Sequence, residues 1–150
     1  MKVSLRATYG IIAAVDLALH HAEQPVCAKS IAKRQAIPAR FLEQVLHAMK
    51  KAGVVTSQRG AQGGYVLSRK PSELSVADIL DALDGPLLTT NGKADPKHSS
   101  SREAKQEALL AHIWDRVKRA ELSVLSEVTV EELAKRQRTL DEQHTLMYHI

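Results

Sequence analysis

The stretch AKSIAKRQAIPARFLEQVLHAMKKAGVVTSQRGAQGGYVL, residues 28–67, decides how this chain is read. Ala28 to Ala36 is short and basic, with Ile31 and Ala32 spaced as an inward face. Pro38 suits the first turn of a helix, where its missing N–H is not needed. From Pro38 to Ala52, the residues Phe41, Leu42, Val45, Leu46 and Met49 recur at steps of one, three and four and draw one apolar stripe along a helix. Arg40, Glu43, Gln44, His47, Lys50 and Lys51 fall on the opposite face. Gly53 ends this helix as a left-handed C-terminal residue does. Two extended runs follow, Val54–Gln58 and Gly64–Leu67, joined by Arg59-Gly60-Ala61-Gln62-Gly63, so the stretch closes on a hairpin with a glycine-rich tip.

A short helix, a tight turn, a second helix with a basic and amide-rich outer face and a small hairpin form the plan of a winged helix-turn-helix. A major groove about 12 Å wide admits one helix, whose outer side chains reach base edges while its inner face packs on the helix before it. Arg40 and Gln44 carry groups that pair with guanine or adenine edges, Glu43 can accept from cytosine N4, and Lys50 and Lys51 suit phosphates. The hairpin tip can lay Arg59 into the adjacent minor groove, where glycines let the backbone come close. The plainer reading makes these residues the solvated face of an amphipathic helix and the glycines a tight turn alone. Helix, turn, helix and basic wing together favour the nucleic-acid reading.

Upstream, Leu5 to Leu19 is dense in Ile, Val, Leu and Ala, with Tyr9, Ile12, Ala13 and Leu17 at helical spacing, and predicts a mostly buried first helix. Downstream, Ser75 and Asp78 make a capping-box pattern ahead of Val76, Ile79, Leu80 and Leu83. Residues 86–101 are rich in Pro, Gly, Ser and Thr without periodicity and predict a mobile loop. Ser100 and Glu103 then cap a long helix in which Leu109, Ile113, Val117, Ala120 and Val124 form a stripe that calls for a partner, and these five are the candidate dimerisation residues. Thr129 and Glu132 open a last, short amphipathic helix before a polar stretch and an apolar end. The fold class expected is mainly α with a small β-hairpin wing. Residues 1–85 form the DNA-binding domain (helix-turn-helix about 28–52, wing about 54–67), residues 86–101 the loop, and residues 102–150 the dimerisation helix and C-terminal segment.

Charge is divided unevenly along the 150 residues. Residues 1–70 carry 11 Lys and Arg against 3 Asp and Glu, a balance of +8, and residues 71–150 carry 10 against 14, a balance of −4. The basic half is the one that suits a polyanion. No run approaches the roughly 20 apolar residues that span a bilayer, and the start lacks a secretory pattern, so a soluble, cytoplasmic protein is expected. The single cysteine, Cys27, excludes an intrachain disulfide and a zinc site built from several thiolates of one chain.

Tyr9-Gly10, Ile31-Ala32, Arg40-Phe41-Leu42-Glu43-Gln44, Ala52-Gly53-Val54-Val55, Ser57, the wing Arg59 to Leu67 and Val76-Ala77-Asp78-Ile79 together resemble the IscR/NsrR/CymR type of winged-helix regulators, the Rrf2 type. The resemblance runs from about residue 1 to 86 and continues more weakly through the long helix and Val128–Ala134. It implies a homodimer that binds an imperfect palindrome in double-stranded DNA, usually as a repressor, with the long C-terminal helix as the dimerisation element. By motif position Arg40, Glu43 and Gln44 would read bases, and Arg59 with Gly60 would enter the minor groove. The candidate DNA-binding set is thus Arg40, Phe41, Glu43, Gln44, His47, Lys50, Lys51, Arg59, Gly60 and Gln62.

Sensing members of that family hold an iron–sulfur cluster on three cysteines in the loop before the long helix. Residues 86–108 contain none, and cluster irons need thiolates at most positions, so no cofactor is expected and the likeness is to the cluster-less, CymR-like branch. A histidine near the start of the long helix often completes that ligand set in the family; His112 lies near its place, but two residues before Trp114 rather than three, and reads as a helix-surface histidine. His98 and Asp95 are a conceivable metal pair or simply solvated loop residues. Cys27, at the start of the first helix of the motif, reads first as a buried small residue, and as a candidate redox sensor because a helix N-terminus lowers a thiol pKa.

An enzyme is disfavoured, because no nucleophile elbow, metal-helix motif or phosphate loop is present and Gly60-x-x-Gly63-Gly64 lacks the Lys-Ser/Thr of a nucleotide loop. The remaining rival is a winged helix that contacts protein instead of DNA. Such a module would carry an apolar or acidic outer face on residues 38–52, and the face is basic and amide-rich.

Overall fold

Helix α1, Leu5–His20, runs through the N-terminal half and touches α3, α4 and α6, so its small residues set the spacing of the elements around it. The computed structural model describes residues 1–20, 24–87 and 100–149. Ser4 begins α1 by accepting from the Ala7 amide at 3.0 Å, and Ala7, Ala13, Ala14 and Leu17 face inward. Helix α2, Ala28–Gln35, buries Ile31 and Ala32, and helix α3, Ala39–Lys51, buries Leu42, Val45, Leu46 and Met49. The spacings in the sequence dictate both faces. Pro38 is the N-cap of α3 rather than its first helical residue.

The hairpin consists of β1, Val55–Gln58, and β2, Gly64–Leu67, paired antiparallel from Val55 opposite Leu67 to Gln58 opposite Gly64. A short 3-10 turn at Pro71–Glu73 leads to α4, Val76–Asp84. Ser75 caps α4 in a complete capping box: its hydroxyl accepts from the Asp78 amide, and the Asp78 carboxylate accepts from the Ser75 amide at 2.9 Å. The core joins α1, α2, α3, the start of β1 and α4, with Leu17, Ile31, Leu42, Leu46, Met49, Leu74 and Ile79 fully buried. Burying each such side chain contributes about 1.5–3 kcal/mol. The inner side of α3 is therefore anchored in this core.

Helix α5, Ser101–Glu127, is capped by a second complete box between Ser100 and Glu103 and has no buried residue. Helix α6, Val130–Tyr148, starts at the N-cap Thr129 and buries Val130 and Ala134 in its first turns. It is 19 residues long, where a short helix followed by a polar stretch was expected. Residues 135–145 contain neither Gly nor Pro and are mostly Lys, Arg, Gln, Leu and Glu, good helix formers that carry the helix on without an apolar stripe. The loop expected over 86–101 gives up Ser100 and Ser101 to the start of α5. Its middle, residues 88–99, which holds Asp95 and His98, lies outside the described residues.

Candidate nucleic-acid interface

Amphipathic α3 turns Arg40, Glu43, Gln44, His47, Lys50 and Lys51 to solvent while its apolar side is sealed against the core. Among the described residues, no buried side-chain nitrogen or oxygen lacks a hydrogen-bond partner, so the polar chemistry of this half is either spent inside or displayed outside. The six residues form a continuous polar surface along one helix, the shape a major groove accepts. Phe41 does not belong to it. It is half-buried, and its ring meets that of Tyr9 edge-to-face at 5.4 Å between centroids, so it braces α3 on α1. A residue directly before the buried Leu42 straddles the boundary of the stripe, and the Tyr9 ring decides its side.

The wing displays Arg59, Gly60 and Gln62, all exposed, at the turn between β1 and β2. Gly60 has a φ of 113°, which a side chain rarely adopts, and its carbonyl accepts from the Gly63 amide at 3.0 Å. The turn thus uses its glycines for its own geometry and leaves the Arg59 side chain projecting. Near the turn end of the hairpin β2 gains a second neighbour: Val26 and Tyr65 exchange both backbone bonds, at 3.0 and 2.8 Å, in an isolated antiparallel bridge. Gly64 permits this approach, since a Cβ there would collide with the Val26 carbonyl. The segment entering α2 is consequently stitched to the wing.

Cys27 follows that bridge as the N-cap of α2 and is exposed, which corrects the reading of it as a buried small residue. Its thiol sulfur lies 3.0 Å from the Ser30 hydroxyl. Hydrogen bonding from Ser30, side chain first and then backbone, holds its pKa below the usual thiol value. Two features were not placed at the site from sequence. Lys29 and Lys33 are exposed on α2 and add positive charge to the helix-turn-helix; the basic character of residues 28–36 is the signal for them. Asp16 is fully buried on α1 and gathers Arg34 and Gln35 from α2, a contact no local pattern announces.

The candidate dimerisation residues Leu109, Ile113, Val117 and Val124 are 45–69% exposed in the single chain. Together with Ala120 they leave an apolar stripe on α5, and Val117, Ala120, Val124 and Leu125 line a shallow groove beside Met1. His112 is exposed on the same helix. Among the described residues no three His, Cys, Asp or Glu side chains are gathered in a group that could hold a metal ion.

Comparison with known proteins gives one consistent answer. The family model Rrf2, described as an iron-dependent transcriptional regulator, matches residues 3–136. The HTH-type transcriptional regulator CymR of Bacillus subtilis is 35% identical over 150 residues, the full length of both chains. The solved structure of B. subtilis CymR, described as that organism's global cysteine regulator, superposes with a TM-score of 0.74 at 34% identity, covering 91% of this chain and 98% of the other. T. potens IscR gives a TM-score of 0.70 at 36% identity, covering 91% of this chain and 88% of its own. Relatives of this kind are DNA-binding transcriptional regulators, not enzymes, and they remove the reading of the winged helix as a module for protein contacts only.

Proposed function

From the membership of this chain in the Rrf2 family of transcriptional regulators, we propose that it binds an imperfect palindrome as a homodimer and acts as a repressor. The observation that carries this is the polar face of α3, with Arg40, Glu43 and Gln44 at its N-terminal end and the Arg59 wing following in the same unit. Arg40, Glu43 and Gln44 read base edges in the major groove, Lys50 and Lys51 hold phosphates, and Arg59 and Gly60 enter the minor groove. A second copy covers the exposed stripe of α5, because apolar residues this closely spaced along one helix favour a self-complementary contact. No helix among the described residues is long and apolar enough to cross a membrane, and a cytoplasmic location suits a chain that binds DNA.

The family description as iron-dependent does not fit the donors of this chain. One thiol per chain, committed to Ser30 at the start of α2, cannot supply the thiolates a cluster needs. We therefore propose regulation without a resident cluster. The exposed Cys27 supports a thiol-based input, since its modification would fall between α2 and the Val26–Tyr65 bridge that holds the wing.

Binding to duplexes selected from a random pool, measured across a salt series, tests the DNA-binding surface: affinity should fall steeply as salt rises. Sedimentation at micromolar concentration should return a dimer, and Val117→Lys should yield monomers that no longer bind the selected duplex. A monomeric wild type that still binds it would overturn the dimeric reading.

A further inference from the structure

Helix α2 ends at Gln35, and only Ala36, Ile37 and Pro38 separate it from α3. Ala36 takes the left-handed conformation, φ 51° and ψ 42°, and the amides of both Ala36 and Ile37 donate to the Ala32 carbonyl. The direction of the last turn of α2 is thus passed to α3 through a link with little freedom of its own. That last turn is held from one side by Asp16 of α1. Arg34 donates to both carboxylate oxygens, from Nε at 3.0 Å and from Nη2 at 2.7 Å, and Gln35 donates from Nε2 at 2.9 Å. His20 completes the set, with Nδ1 3.6 Å from the carboxylate and 2.9 Å from the Asp16 carbonyl.

A fully buried carboxylate is an expensive way to stabilise a helix pair. Burying a charge costs several kcal/mol that its partners only offset, and apolar residues of similar volume would hold two helices together as well. What the Asp16 fork supplies and an apolar contact lacks is direction. A guanidinium bound through two nitrogens in one plane, with an amide on the same carboxylate, fixes the rotation and the pitch of the segment that carries them. Arg34 is also withdrawn from the cations that could otherwise neutralise phosphate.

We infer that Asp16 is a positioning residue for DNA reading: by clamping Arg34 and Gln35 it sets the aim of α3, and so governs discrimination between sequences rather than the strength of phosphate binding. This rests on the DNA-binding role proposed above.

The test compares binding of the full-length chain to the duplex it selects best from a random pool and to a scrambled duplex of equal length. The ratio of the two affinities cancels any loss of folded protein, which a purely stabilising residue would cause. Arg34→Lys keeps the charge but not the planar fork, Gln35→Ala removes the second donor, and Asp16→Asn removes the charge. The ratio should fall by about tenfold in Arg34→Lys and Asp16→Asn, comparable to losing one good base contact, and by less in Gln35→Ala, with the salt dependence unchanged. Because Arg34→Lys and Gln35→Ala leave the buried carboxylate with a partner, they keep the test valid if Asp16→Asn does not fold. Variants that lower both affinities by the same factor would reduce the clamp to a stabilising contact and overturn the inference. So would a loss of affinity for both duplexes with a flatter salt dependence in Arg34→Ala, which would make Arg34 itself a phosphate contact. A wild type that does not prefer its selected duplex would overturn the proposed function together with the inference.

Discussion

Ser75 and Thr129 lie opposite each other in an antiparallel bridge, and each is at the same time the N-cap of the helix that follows it. The backbone closes the bridge on both sides, Val76 N–H to the Val128 carbonyl at 2.9 Å and Val130 N–H to the Leu74 carbonyl at 2.8 Å. One small joint thus fixes where α4 and α6 begin and ties the C-terminal helices to the DNA-reading half. Ser75→Ala and Thr129→Ala should each lower stability by about 1 kcal/mol, read from urea unfolding at fixed protein concentration. Ser75→Ala should cost more, because it also breaks the reciprocal box with Asp78. DNA sequence preference should stay unchanged in both, since the bridge is made by backbone groups.

The residues of α3 should divide by the kind of contact they make. Gln44→Ala should cost about 1–3 kcal/mol on the selected duplex and relax preference at one base pair per half-site. Glu43→Ala should bind more sequences with equal or greater affinity, because an acid beside phosphates is tolerated where it discriminates. Lys50→Ala and Lys51→Ala should weaken all duplexes alike and flatten the salt dependence by about one unit each. Selection from a random pool with each variant decides between the two behaviours.

Cys27 should alkylate with iodoacetamide faster at neutral pH than an unperturbed thiol, and its rate should turn over below the usual thiol range. Ser30→Ala removes the hydroxyl that hydrogen-bonds the thiolate and should slow the reaction by a few-fold. Alkylated protein should bind DNA more weakly, since the added group sits at the α2 N-terminus beside the Val26–Tyr65 bridge.

Asp16 gives the acid side of the stability curve a definite sign. Burial alone would raise its pKa. The hydrogen bonds from Arg34 and Gln35, with the charges of Arg34 and His20, outweigh burial and hold the pKa below the ordinary 3.8. The unfolded chain therefore binds the proton more readily, so this contribution is present above the ordinary carboxylate value and is lost as pH falls through the folded one. Acid unfolding followed by circular dichroism should be shallower in this window for Asp16→Asn than for the wild type.

What the sequence could reveal about these features follows from how local each one is. The two faces of α3, the hairpin and the capping serines Ser75 and Ser100 are written in periods of two to four residues, and each is visible without its surroundings. Phe41 sits at the edge of a stripe, where only the Tyr9 ring fixes its direction. Ala36 bears no mark of its left-handed backbone, which Gly or Asn would have signalled. Asp16 reads as one acid in an apolar helix, and its partners come 18 and 19 residues later on a helix of different direction. The far part of α6 was hidden for the opposite reason. It is exposed along its length, and a helix that buries nothing prints no stripe.

The pairing of Val26 with Tyr65 makes the wing a poor unit for exchange. A hairpin transplanted from a relative as residues 55–67 alone would arrive without the Val26 backbone that pairs with its outer edge at Tyr65. Any bulk at position 64 would push it off that edge. Chimaeras meant to alter minor-groove preference should therefore move residues 24–27 together with the hairpin. The tip residues 59–62, free of that seam, are the part that can be rewritten by themselves.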